Sequence, residues 1–89
     1  MRALIALLLM SSAAFANGCG PHDDVLAALK RVFGETVHVR AMQNNATLLE
    51  ITVNPATHTW TAIITDASGT SCAPASGDHF EAVKSGDPA

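Results

Sequence analysis

The first residues with reactive potential are Cys19-Gly20-Pro21-His22. A thiol at a helix N-terminus has its thiolate stabilised by the helix dipole, and a nearby imidazole adds to the effect. The tetrad therefore has the layout of a redox turn with histidine where a second cysteine would stand. A buried strand should precede such a turn, yet only Asn17 and Gly18 separate Cys19 from an apparent export leader. The other cysteine, Cys72, lies 53 positions away. In an oxidising compartment such a pair closes into a structural bridge. The chain-entropy account gives a loop of this length about 4 kcal/mol of stabilisation. A disulfide between Cys19 and Cys72 is thus the expectation, and a thiol-dependent redox factor using Cys19 is its rival. A third reading is lipid anchoring at Cys19, because Ala16-Asn17-Gly18-Cys19 loosely resembles a bacterial lipobox. Ala16 replaces the expected leucine, and lipidation would strand Cys72 as a lone thiol.

The remaining chemistry-bearing residues are dispersed. Of the four histidines, His22, His38, His58 and His79, none stands at the spacing of a compact metal site, so no metal and no cofactor are expected. Asp and Ser residues fall in turns and flanks, without a nucleophile elbow or paired acids on one strand face. The expectation is a protein that is not an enzyme. Asn45-Ala46-Thr47 matches a glycosylation sequon and marks that turn as exposed. Trp60, the single tryptophan, alternates with Ala62 and Ile64 and reads as core.

Composition sets the frame for these residues. Met1 and Arg2 form a positive start, Ala3 to Met10 is an apolar run of eight residues, and Ala14-Phe15-Ala16 is a small-x-small cleavage pattern. Residues 1–16 are read as a signal peptide, with cleavage before Asn17. The apolar run is far short of the roughly 20 residues that span a membrane. Of the five Lys and Arg residues, Arg2 leaves with the leader, so the mature chain keeps four against eight carboxylates, a net charge of −4. No basic patch remains to hold a nucleic acid backbone. Residues 17–84 make one domain, of a size at which burial is marginal and a covalent staple is common. Residues 85–89 read as a disordered tail.

The elements that must position these groups follow from periodicity. Gly20 can cap a helix, Pro21 suits its first position, and Asp23 and Asp24 sit at its positive end. Val25, Leu26, Leu29, Val32 and Phe33 then share a helical face, and Gly34 supplies a left-handed stop. Val37, Val39 and Ala41 alternate as a first strand. Leu49, Ile51 and Val53 alternate as a second, with Leu48, Glu50 and Thr52 on its other face. Pairing these two apolar sets demands an odd-numbered loop unless a bulge intervenes, which disfavours a two-residue Asn44-Asn45 turn. Thr59 to Thr65 is a third strand, and Thr70 to Ala75 a short fourth carrying Cys72. The fold class is α+β: one N-terminal helix on a three- to four-stranded antiparallel meander, packed across its apolar face.

The early Cys-Gly-Pro, Thr59-Trp60-Thr61, Gly69-x-x-Cys72 and Gly77-x-x-Phe80 give the chain a likeness. It resembles a group of short exported proteins from proteobacteria and their phages. The resemblance covers most of the mature domain and implies compartment and fold, without an activity to carry over. With the apolar face assigned to the core, His38, Arg40, Glu50 and Ile63 are left on the opposite face as a possible interaction surface. The expectation is a monomeric periplasmic or secreted binding module. Its partner would be an envelope or periplasmic protein or a small ligand.

Overall fold

The computed structural model describes residues 18–83. The expected leader, its cleavage site and the expected tail at 85–89 lie outside those residues. The elements in chain order are β1 (Cys19–Pro21), α1 (His22–Phe33), β2 (Thr36–Met42), β3 (Leu48–Val53), β4 (Trp60–Thr65) and β5 (Thr70–Gly77). They form an α+β fold in which five antiparallel strands stand in the order β1-β5-β4-β3-β2.

The sheet has five strands rather than three to four because the segment before the helix is itself paired. Cys19 lies directly opposite Cys72, and the two are joined as a disulfide with Cα atoms 4.1 Å apart. The crosslink holds residues 19–21 against β5 as a short edge strand, and His22 N–H continues the contact by donating to Gly69 C=O at 3.0 Å. The helix consequently begins one residue later than expected. Gly20 belongs to β1, and Pro21 occupies the capping position with φ −58° and ψ 141°. Gly34 ends the helix in the left-handed conformation, φ 67°, as its sequence position implied. A Cβ there would come 2.7 Å from Asn54 Nδ2, the amide that donates to Phe33 C=O, so both conformation and space favour glycine.

The β2–β3 connection runs from Gln43 to Thr47, an odd-numbered loop, with Met42 opposite Leu48. A register shift between Val37 and Val39 separates these two residues. Val39 and Ala41 stay beside Ile51 and Leu49, whereas Val37 lies opposite Thr52. A second shift falls between Ala62 and Ile64, where β5 carries Pro74. Proline has no N–H to give a ladder, and such bulges accommodate it.

The decisive departure from expectation is the choice of sheet face. The helix covers the face carrying Glu50, Thr52, Ile63, Thr65 and Ser71, all fully or nearly fully buried. The face bearing Leu49, Ile51, Ala62 and Ile64, which the alternation assigns to the core, has no helix packed on it among the described residues, and its Val53–Trp60 end is covered by the segment after β5. Polar contacts account for the choice. His22 in the first helical turn reaches Glu50, and Glu35 just past the helix accepts a hydrogen bond from the Thr52 hydroxyl at 2.8 Å. Thr65 and Ser71 hydroxyls pair at 2.6 Å. No buried side-chain nitrogen or oxygen lacks a partner among the described residues. Burying polar groups costs free energy only when they are left unpaired, and here they are paired throughout. Leu29, Ile63 and Ala73 provide the apolar part of this interior, and Val32 and Phe33 are left largely exposed toward the helix end.

Candidate functional site

The four residues expected to share an interaction face are distributed otherwise. Glu50 and Ile63 have zero exposure, so neither can meet a partner. They sit opposite each other in β3 and β4, beneath the helix. Arg40 lies opposite Glu50 across the β2–β3 ladder and keeps most of its side chain in solvent. His38 sits within the register shift of β2, exposed, with Nδ1 2.9 Å from the Thr36 carbonyl oxygen.

Register and helix placement create a three-residue cluster instead. Glu50 Oε1 is 2.6 Å from His22 Nε2, and its Oε2 accepts from Arg40 Nε at 2.9 Å and from the Arg40 guanidinium at 2.7 Å. Burial alone would raise the Glu50 pKa. The hydrogen bonds from His22 and Arg40, with the attraction of both groups, outweigh that and hold it below the usual carboxylate range. Both carboxylate oxygens are thus engaged, and the group is sealed from solvent. Its chemistry is that of a fixed anchor for the helix start, with no room for a reacting molecule. Sequence reasoning missed it because His22 and Glu50 are 28 positions apart. The available signal was an acid within a strand whose other residues are four aliphatics and one threonine.

A cavity of about 530 Å³ lies at the far end of the sheet, lined by His38, Val53, Pro55, His58, His79, Phe80, Glu81 and Ala82. Two backbone features shape it. His58 and His79 both adopt left-handed conformations, φ 65° and 59°, and Phe80 N–H donates to His58 C=O at 2.9 Å. Trp60 Nε1–H donates to Asp78 C=O at 3.1 Å, and a Cβ at Gly77 would lie 3.0 Å from the indole ring. The segment after β5 is thereby pinned over the Trp60 end of the sheet. The cavity gathers three histidines that sequence spacing kept apart. Among the described residues, however, no group of three or more His, Cys, Asp or Glu is placed to hold a metal ion. His79 is hydrogen-bonded to Asp78, which raises its pKa.

Cys19 is bonded to Cys72, and the described residues include no free cysteine, so a redox turn at residues 19–22 has no thiol in this state. Among the described residues no helix is long and apolar enough to cross a membrane.

The remaining surface of note is the uncovered sheet face. Its residues fall in cross-strand rows that the register defines: Cys72, Ile64, Leu49 and Ala41 in one, Ala75, Ala62, Ile51 and Val39 in the next. None of these side chains carries a charge. Val39 is 42% exposed, and Leu49, Ile51, Ala62 and Ile64 are only half-buried. Comparisons with protein families, with curated proteins and with solved structures find no match.

Proposed function

We propose that this chain is an exported, non-catalytic interaction module and that its working surface is the uncharged sheet face centred on Leu49, Ile51, Ala62 and Ile64. One observation carries the reading: the helix spends its cover on a polar face, while the most apolar face of the sheet stays open. An apolar patch extending over several strands costs hydration free energy in isolation, at roughly 25 cal/mol per Å², and is a common mark of an interface. The disulfide supports the same reading. It ties β1 to β5, which holds the helix on the opposite side and keeps this face clear. Export is supported by the leader pattern and by the closed cysteine pair.

The test is carbene footprinting of the protein in its native compartment against the dilute isolated chain. Protection of Val39, Leu49 and Ile51 in the native setting is expected. Equal labelling in both settings would remove this face as the working surface.

A further inference from the structure

We infer that the occupant of the open sheet face is a second copy of this chain, stacked face to face about a twofold axis that runs parallel to the strands. The inference rests on the reading of that face as the working surface, and it names the partner.

The argument begins with shape. Along the row Ala75-Ala62-Ile51-Val39, the two residues toward β5 are small and the two toward β2 are large. A twofold axis along the strands, placed between β4 and β3, sets β5 of one copy over β2 of the other and β4 over β3. Ala75 then meets Val39 and Ala62 meets Ile51, twice over by symmetry. Each large side chain of this row is received by a small one, which is the complementarity an isologous interface requires. In the neighbouring row Leu49 meets Ile64 and Ala41 meets Cys72, so apolar groups again face one another. Stacked sheets pack about 10 Å apart with strands rotated by roughly 30°, a separation that such pairing of small and large residues fills.

Charge points the same way. A face that pairs with itself must avoid placing like charges opposite each other, and every charged side chain among the described residues lies off these two rows. A different partner would be recognised through a polar or charged address, and the two rows offer none.

Area suits a weak complex. The four strands β5-β4-β3-β2 at about 4.8 Å spacing span roughly 19 Å, and the two rows with their margins run about 14 Å, so each copy offers on the order of 270 Å² of flat area. Two copies together stay below the roughly 1,200 Å² of standard-size interfaces, in the range of weak and transient complexes. The expected complex is a weak dimer that forms at the high end of physiological concentration, in place of the monomer expected from sequence.

The experiment uses the mature, disulfide-closed chain and two exposed substitutions, Val39→Lys and Ala75→Glu, with sedimentation equilibrium as readout and thermal melting as a control for folding. The wild type should approach twice the monomer mass as concentration rises. Each variant alone should be monomeric, because a charge would be buried against an apolar partner. An equimolar mixture of the two should associate again, since the ammonium introduced into one chain then faces the carboxylate introduced into the other. A wild-type chain that stays monomeric at every concentration overturns the inference, and so does dimerisation that survives either substitution. Failure of the mixture to re-associate overturns the stated twofold. If the chain is monomeric when pure yet its open face is protected in the native compartment, the working surface stands and only the second copy is excluded.

Discussion

The two faces of this sheet solve opposite problems. The covered face buries Glu50, Thr52, Thr65 and Ser71 beneath a helix and satisfies each with a hydrogen bond. The open face carries Leu49, Ile51, Ala62 and Ile64 and has no helix over it among the described residues. A purely hydrophobic account of folding would place the helix on the second face. The difference teaches that local polar bonds around the helix ends, at His22 and Glu35, can outweigh the apolar preference of the strands when the covered polar groups are fully paired.

The largest effect expected from breaking this arrangement comes from the crosslink. Cys72→Ser should cost about 2–5 kcal/mol, because it frees β1 and with it the start of the helix, and loss of the cooperative melt would register it. An unchanged melting curve would mean that the bridge does not hold the helix to its face. Next comes the interior of the covered face, where Ile63→Ala should cost about 2–5 kcal/mol in denaturant titration. Val39→Ala on the open face should stay within about 0.5 kcal/mol, and the contrast between the two is the sharper test.

The Glu50 cluster follows. Glu50→Gln removes a buried charge that two donors hold, at an expected cost of about 1–3 kcal/mol. Because folding lowers the Glu50 pKa, its contribution is fully present above the ordinary glutamate range and is lost as pH falls through the lowered folded value. The wild type should therefore lose stability on acidification more steeply than Glu50→Gln, as read from melting temperatures across that window. Arg40→Glu, which a free interaction face would tolerate, should instead destabilise, since it sets a second carboxylate beside Glu50.

Much of the architecture was legible in the sequence because it depends on local rules. The helical run from Val25 to Phe33, the stop at Gly34, the strands around Leu49 and Trp60 and the Cys19–Cys72 pair all follow from periodicity, capping and the pairing expected of two cysteines behind a leader-like start. The short strand β1 was not legible, since three residues carry no period. The face was not legible either. Amphipathicity says that a helix has an apolar side, and it leaves open which sheet face that side will meet. That depended on contacts 28 and 17 positions apart, His22 to Glu50 and Glu35 to Thr52, and on the register shift that moves Val37 away from Val39. The residues Glu50 and Ile63 were consequently read as surface although both are interior.

The most direct test of the account is a methyl-resolved nuclear Overhauser spectrum of the disulfide-closed chain, kept dilute enough to be monomeric. Cross-peaks from the Leu29 methyls to Ile63, with none to Ile51 or Ile64, are the predicted result. Cross-peaks from Leu29 to Ile51 or Ile64 would place the helix on the apolar face and contradict both the covered-face assignment and the working surface built on it.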